Sequence, residues 1–499
     1  MRKNIMIQGT ASSVGKSILT AALCRILTED GYSVSPFKSQ NMSLNSYVTS
    51  EGHEMGRAQV LQAEACRIAP HVNMNPILLK PTADETSQVI VMGKVHRDMK
   101  ASKYFLYRAE LKGIIMKAYE KLEKANDIVV IEGAGSPAEI NLNKNDIVNM
   151  GLAEMVDAPV LLVADIDRGG VFASIYGTVM LLEEHERKRI KGIIINKFRG
   201  DKKLLLSGLN QIEKLVGIRV LGVIPYFHLD LDDEDSVVDW TKFSKNKEAL
   251  LDVAVIKLPH LSNFTDFYPL SLHKEVNLTF VELSGNLGKP DLIILPGTKT
   301  TLSDFNHMKR CGMDKKIASC HENGSAIMGI CGGYQMLGRT IKDPYHVESG
   351  VLEQEGLGLI DMVTTFSKEK HTVLVDGVEH FSEKRIKGYE IHMGESVHHK
   401  EHQPLVTLFK TNHQKVQDRT EGILNKDEGI LGTYVHGIFD NSGFTEELLN
   451  YICSRKGLGP IQEEGMDFWV HRENELSELA KLVRENLDME VLYEILHES

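Results

Sequence analysis

Two short stretches of the 499-residue chain hold residues spaced for chemistry. In Gly329-Ile330-Cys331-Gly332-Gly333-Tyr334-Gln335 a cysteine lies between an apolar run and a helical run through Met336-Leu337. Small residues on both sides let the backbone take the sharp strand-to-helix turn of a nucleophile elbow, here with a thiol in place of a hydroxyl. The thiol then stands at a helix N-terminus, where backbone N–H groups stabilise negative charge. The N–H of Gly332 is one candidate oxyanion donor. Gly297, in the turn Pro296-Gly297-Thr298 after the apolar Leu292–Leu295, is the other. The nucleophile needs a base. His436 in Gly432-Thr433-Tyr434-Val435-His436-Gly437, at the end of an apolar run, is the candidate among 20 histidines. A buried structural cysteine is the competing reading, and the density of glycines around Cys331 favours catalysis. Such a Cys–His pair cleaves an amide or an ester.

The second stretch is Gly9-Thr10-Ala11-Ser12-Ser13-Val14-Gly15-Lys16-Ser17, after the apolar Asn4–Ile7 and before the helical run Ile18–Leu27. A loop of this kind wraps backbone N–H groups around phosphates at a helix N-terminus. Thr10 and Gly15 belong to the wrap, Lys16 balances the β/γ-phosphate charge, and the Ser17 hydroxyl is a Mg²⁺ ligand. The spacing has one residue more between its glycines than the commonest form. A Gly/Ser-rich turn is the alternative, and the strand before and helix after disfavour it. Glu132 ends the apolar run Ile128–Ile131, where a carboxylate can hold the same Mg²⁺. Asn196 ends another run, where its amide can read an adenine edge, although asparagine is also a common turn residue.

Both kinds of chemistry in one chain imply coupling. A carboxylate is a poor electrophile because its leaving group is oxide. Phosphorylation by the ATP or GTP that a phosphate loop binds turns it into an acyl phosphate, which ammonia can attack. An amidase that takes ammonia from L-glutamine supplies it unprotonated and sheltered from water.

The surrounding elements are those of α/β domains. Asn4–Ile7, Ile128–Ile131, Val160–Val163, Gly192–Ile195 and Val220–Ile224 are short runs rich in Val, Ile and Leu with helical patterns between them. That alternation predicts a parallel sheet whose strand ends line one site. The chain turns acidic through Asp232-Asp233-Glu234-Asp235, and Trp240–Leu250 reads as a linker. A second α/β pattern starts at Val253–Leu258 and continues through Leu278–Leu283, Leu292–Leu295 and Ala326–Ile330. It becomes more strand-like from Gly356 and ends at Leu431–Val435. Phe468–Leu496 has Leu and Val at helical spacing among many charges, as expected of amphipathic helices packed on the body. The expected domains are therefore an ATP-binding unit at 1–240, a glutaminase unit at 251–445 and a helical extension at 446–499.

Composition narrows the class. The chain is 42% hydrophobic and 25% charged, ordinary for a globular protein. A net charge of −12 argues against nucleic acid as the main partner. No stretch approaches the length of a membrane span, and the N-terminus goes directly into an apolar strand, so no membrane and a cytoplasmic location are expected. The six cysteines form no Cys-x-x-Cys pair, which fits free thiols in a reducing compartment. No pattern specifies an oligomeric state.

Several segments make the chain resemble the cobyric acid synthase family, the glutamine-hydrolysing enzymes of cobalamin biosynthesis, over essentially its whole length. They are the Gly9–Ser17 loop, Phe37-Lys38-Ser39-Gln40-Asn41-Met42-Ser43-Leu44-Asn45-Ser46, Glu54-Met55-Gly56-Arg57-Ala58-Gln59 and Glu132-Gly133-Ala134-Gly135-Ser136-Pro137-Ala138-Glu139. Further segments are Asp165-Ile166-Asp167-Arg168-Gly169-Gly170-Val171-Phe172, Asn196-Lys197-Phe198-Arg199-Gly200 and Gly388-Tyr389-Glu390-Ile391-His392-Met393-Gly394. The resemblance implies an N-terminal phosphate-loop domain like dethiobiotin synthetase and a C-terminal class I glutaminase domain. It implies a corrinoid substrate: the b, d, e and g carboxylates of adenosylcobyrinic acid a,c-diamide would be amidated, with one ATP and one glutamine per amide. It also implies that Lys38 helps bind the transferring phosphate and that Asp165, Asp167 and Arg168 lie near the ATP and substrate. Most class I glutaminases carry Glu two residues after the histidine, where this chain has Ile438. His436 is then oriented by another group, Glu390 being one candidate, or works with Cys331 as a dyad. The nearest rival is cobyrinic acid a,c-diamide synthase, disfavoured by Ser39–Ser46. A rival of another class is a partitioning-type ATPase switch with an inactive glutaminase fold, disfavoured by the intact Cys331 and His436.

Overall fold

The computed structural model describes residues 3–83, 85–227, 240–243, 249–461 and 467–498. The acidic run at Asp232–Asp235 and positions 244–248 of the expected linker lie outside the described residues. The chain forms two compact units, one of Met1–Ser43, Met55–Val238 and Arg472–Ser499, the other of Leu44–Glu54 and Asp239–His471. No helix among the described residues is long and apolar enough to cross a membrane.

The first unit is built on a six-stranded sheet in the order Val220–Pro225, Ile190–Phe198, Val160–Asp165, Lys3–Gly9, Ile128–Glu132, Val34–Phe37. Every pairing is parallel. Central strands covered on both faces bury every side chain, which is why they read as unbroken Val/Ile/Leu runs. Residues Ile128 to Glu132 and Val160 to Asp165 are all buried. The edge strand Val34–Phe37 carries Pro36 and Ser35, and so short and mixed a run shows no strand periodicity. A second sheet, Gln40–Met42, Ile77–Ala83, Thr86–Val91 and Lys94–Lys100, was likewise not expected.

The last helices, Phe468–Asn486 and Met489–Glu498, occur where the leucine spacing put them. From Arg472 onward they belong to the first unit. There Leu476, Leu479, Val483 and Leu492 share one core with Ile5, Leu19 and Leu23. The stretch expected as a single extension at 446–499 is thus divided, since helix Ser442–Arg455 belongs to the second unit. An amphipathic face states that it must be covered, not by which partner.

The second unit has a six-stranded sheet in the order Val276–Glu282, Leu251–Lys257, Leu292–Leu295, Ala326–Ile330, Ile430–Thr433, Ile423–Asn425. It is parallel except for the last strand. A largely antiparallel sheet follows, built on the long pair Met362–Glu379 and Arg385–His398. This is the strand-rich region that the pattern after Gly356 announced.

Candidate active sites

The elbow sits between strand Ala326–Ile330 and helix Gly332–Leu337. Cys331 has φ 51° and ψ −109°, a sparsely populated conformation for a residue with a side chain. The glycines make it possible. A Cβ on Gly333 would lie 1.9 Å from the Leu295 carbonyl oxygen, and one on Gly329 2.6 Å from the Tyr334 Cα. The Cys331 N–H donates to the Thr433 carbonyl at 2.8 Å, tying the elbow to the strand that leads to His436. Its Sγ lies 3.4 Å from the Ile391 carbonyl oxygen.

His436 is buried and pairs in register with Tyr389, whose ring stacks on the imidazole with centroids 5.4 Å apart. The Cys331 sulfur lies beside the imidazole and favours its protonated form. On the other side, His436 Nδ1 lies 2.6 Å from Asp266 Oδ2, and the Gly437 N–H donates to Asp266 Oδ1 at 3.1 Å. Burial alone would depress the imidazole. The Asp266 carboxylate, by charge and hydrogen bond, and the Cys331 sulfur outweigh it and raise the pKa to about 10. The arrangement favours a protonated imidazole.

Asp266 was missed in the sequence, and Glu390, the candidate raised there, is engaged elsewhere. Arg419 Nη2 lies 2.7 and 2.6 Å from the two Glu390 oxygens, and His371 Nε2 lies 2.9 Å from Oε2. Burial would raise the Glu390 carboxyl, but the His371 hydrogen bond and the Arg419 charge bring it down to about 2. Ile438, two residues after His436, is fully buried. The only trace of Asp266 in the sequence is an acid inside the apolar run Phe264-Thr265-Asp266-Phe267-Tyr268. The turn that carries it is pinned from both sides. Asn263 Oδ1 accepts from the Ser46 N–H at 2.9 Å, and Asn45 Oδ1 accepts from the Phe264 N–H at 3.1 Å.

The two expected oxyanion glycines flank this group. A Cβ on Gly297 would stand 3.1 Å from His436 Cε1, and one on Gly332 2.9 Å from Thr298 Cγ2. His371, Glu390 and His392 lie within 4.8 Å of one another, a spacing that can hold a metal ion, although Arg419 already engages both Glu390 oxygens.

In the first unit, Gly15 takes φ +100° and opens helix Lys16–Glu29. Lys16 is buried, and its Nζ donates to the carbonyls of Ala11 at 2.9 Å and Gly135 at 3.1 Å. Thr10 donates its N–H to the Val163 carbonyl at 2.9 Å. The last residues of strand Ile190–Phe198 hold the loop. Asn196 Nδ2 donates to the Val14 carbonyl at 2.9 Å and Lys197 Nζ to the Ser13 carbonyl at 2.7 Å. The Asn196 Oδ1 is buried with no hydrogen-bond partner in the protein.

Glu132 is wholly buried and accepts four hydrogen bonds: from Ser17 Oγ at 2.7 Å, Lys38 Nζ at 2.7 Å, Gln62 Nε2 at 2.6 Å and Gln59 Nε2 at 3.3 Å. Burial would raise its pKa, but the Lys38 charge and these bonds hold it below the usual carboxylate range. The Ser17 hydroxyl and the ionised Glu132 carboxylate are oxygen donors of the kind Mg²⁺ takes, although Lys38, Gln59 and Gln62 already engage the two Glu132 oxygens. Gln59 ends one of the segments that carry the family resemblance, with no role read for it there, and Gln62 was not singled out. A cavity of about 330 Å³ is lined by Lys16, Ser17 and Lys38 together with residues of the Ala134–Asn149 segment. Asp165, Asp167 and Arg168 do not line it. Asp165 Oδ2 accepts from Lys197 Nζ at 2.9 Å and lies 3.7 Å from Arg168 Nε, and Asp167 pairs with Arg199 at 2.9 Å.

Comparison with known proteins agrees with both halves. The model of an AAA domain matches residues 3–234, and that of the CobB/CobQ-like glutamine amidotransferase domain matches residues 252–444. The cobyric acid synthase of Clostridium novyi is 51% identical over 100% of this chain and 98% of its own length. The chain belongs to the cobyric acid synthase family. Another member, from Alkaliphilus metalliredigens, is 53% identical over 98% of this chain and 99% of its own length. A third, from Caldanaerobacter subterraneus, is 50% identical over 99% of each. As a member of this family, the chain is a glutamine-hydrolysing, ATP-dependent carbon–nitrogen ligase with a phosphate-loop domain and an amidotransferase domain.

Proposed function

We propose that the chain amidates the b, d, e and g carboxylates of adenosylcobyrinic acid a,c-diamide to give adenosylcobyric acid, in the cytoplasm, using one ATP and one L-glutamine per amide. What carries the reading is that one chain, covered end to end by relatives named cobyric acid synthase, folds both a buried Cys331–His436–Asp266 set and a Lys16–Lys38–Glu132 set.

In the glutaminase, the Cys331 sulfur attacks the glutamine amide carbon, and the oxyanion faces the N–H groups of Gly332 and Gly297. His436 takes the Cys331 thiol proton and passes it from Nε2 to the leaving ammonia, leaving a thioester. His436 then takes a proton from water, which cleaves the thioester to glutamate and frees the thiol. Asp266 is a positioning residue: it keeps Nδ1 protonated and the ring aimed at the sulfur.

In the ligase, Lys16 and Lys38 balance the charge of the phosphoryl group as it moves to a substrate carboxylate, with Thr10 and Gly15 in the cradle. Ser17 and Glu132 would hold Mg²⁺, which neutralises phosphate charge when bound. The unpartnered Asn196 Oδ1 suits the amino group of adenine. Asp165 holds Lys197, which holds the loop, and with Asp167 and Arg168 is assigned to the nucleotide side. Ammonia displaces phosphate from the acyl phosphate to give the amide.

The test is incubation of purified protein with ATP, Mg²⁺, glutamine and the a,c-diamide, followed by mass spectrometry. Four successive exchanges of OH for NH₂ are expected, with partly amidated corrinoids visible early. Amidation of only two carboxylates, starting from the ring with no amides, would reassign the chain to the a,c-diamide reaction.

A further inference from the structure

The cavity beside Lys16 and Lys38 has a third cation in its wall, Arg108, on helix Ala101–Ala125. Its neighbours are unusual for an arginine. No carboxylate lies within ion-pair distance among the described residues, and its Nε is buried without a hydrogen-bond partner. Among the described residues the guanidinium is met by two rings, 5.8 Å from the centroid of Tyr104 and 5.3 Å from that of Phe105. Tyr104 is itself fixed by donating to Gln40 Oε1 at 2.6 Å. The two acids that line the same cavity leave Arg108 unmatched. Asp146 is committed to the N–H groups of Val148, Asn149 and Gly151, and Glu139 is exposed to solvent.

A planar cation set beside aromatic rings and lining a cavity, with no hydrogen bond to its donors among the described residues, suits bidentate recognition of a carboxylate. Lys16 and Lys38 serve the phosphate and the reacting carboxylate, so Arg108 addresses a different anion. The cavity volume fits one acid arm and a phosphate but is too small for a macrocycle. A ring must lie across the mouth, where Met42 is 57% and Leu142 42% exposed. Apolar side chains left in water at a cavity rim suit the face of a flat, largely apolar ring.

We propose that Arg108 binds a second, non-reacting carboxylate arm of the corrinoid, with Met42 and Leu142 beneath the ring, so that substrates with more free acids are held more tightly. This subsite rests on the corrinoid reading above. It gives the order of affinities a physical cause: each amide formed removes one possible partner for Arg108, and late intermediates bind more weakly than early ones.

The test compares wild type, Arg108→Gln and Arg108→Lys, using ammonium chloride as the nitrogen source so that the glutaminase does not enter. For wild type, KM should rise through successive isolated intermediates and with ionic strength. Arg108→Gln should raise KM for the a,c-diamide by about ten- to a hundred-fold, the loss of one charge-assisted pair. It should leave kcat and the KM for ATP near wild type, and flatten both the intermediate and the salt trends. Arg108→Lys should recover part of the affinity. If wild type amidates the diamide and Arg108→Gln has the same KM and salt dependence, the subsite is wrong and the corrinoid reading stands. If Arg108→Gln lowers kcat and raises the KM for ATP as much as that for the corrinoid, Arg108 is structural and the subsite is again wrong. If wild type amidates no corrinoid, the functional reading fails and the subsite with it.

Discussion

Replacing Asp266 by Asn keeps the shape of the side chain and removes its charge. Asp266 answers two donors with two oxygens: His436 Nδ1–H at 2.6 Å and Gly437 N–H at 3.1 Å. Asparagine has one acceptor, so its NH₂ must face one of those donors. Both partners are buried, with His436 2% and Asp266 4% exposed, so water cannot repair the mismatch. Losing one partner of a buried, hydrogen-bonded charge pair costs about 3–5 kcal/mol. At about 1.4 kcal/mol per factor of ten, the glutaminase kcat/KM should fall by roughly two to four powers of ten. Synthesis from ammonium chloride should be unchanged. The pH profile gives an independent reading. Asp266 raises His436 to about 10, so its removal should move the alkaline limb of glutaminase activity toward neutral pH. The linked stability has the same sign. A histidine raised above its unfolded value of about 6.5 stabilises the fold fully below that pH, and the contribution is lost as the pH rises through about 10. Glutamine hydrolysis is read by glutamate release across pH. A variant within threefold of wild type, with an unmoved alkaline limb, would refute the positioning role. Equal loss with ammonium chloride would show a general folding defect instead.

Other perturbations separate the two sites. Cys331→Ala should abolish glutamine-dependent amidation and spare synthesis from ammonium salt; continued use of glutamine would remove Cys331 as nucleophile. Lys16→Ala should lose synthesis with either nitrogen source, while glutamate release survives in part, and near-normal amidation would overturn the phosphate-loop reading. Gly333→Ala puts a methyl 1.9 Å from the Leu295 carbonyl oxygen, so glutaminase should be lost through displacement of the elbow, whereas an active variant would mean the turn is far softer than its packing indicates. Leu479→Ala should destabilise the first unit by about 2–5 kcal/mol in denaturant unfolding, because this fully buried side chain belongs to the same core as the central strand; a change under about 0.5 kcal/mol would place the helix at the surface.

The sequence by itself determined the elements whose local pattern has one solution. Parallel central strands are buried on both faces, so Ile128–Ile131 and Val160–Val163 had to be apolar throughout and were legible as such. The Gly15-Lys16-Ser17 loop and the glycines around Cys331 were legible because their backbone conformations and close approaches admit little else. Tertiary structure decided what depends on distance in the chain. Asp266 meets His436 across 170 residues, and no local pattern distinguishes it from an acid in an ordinary turn. Gln59 and Gln62 reach Glu132 from a helix whose surface carries no chemical signature, and Glu390 is drawn to Arg419 rather than to His436. Burial makes these choices. A carboxylate removed from water takes whichever donors the fold brings within reach, and only the packed chain sets which those are. The C-terminal helices follow the same logic: leucines at helical spacing demanded a cover, and the fold supplied the first unit's sheet.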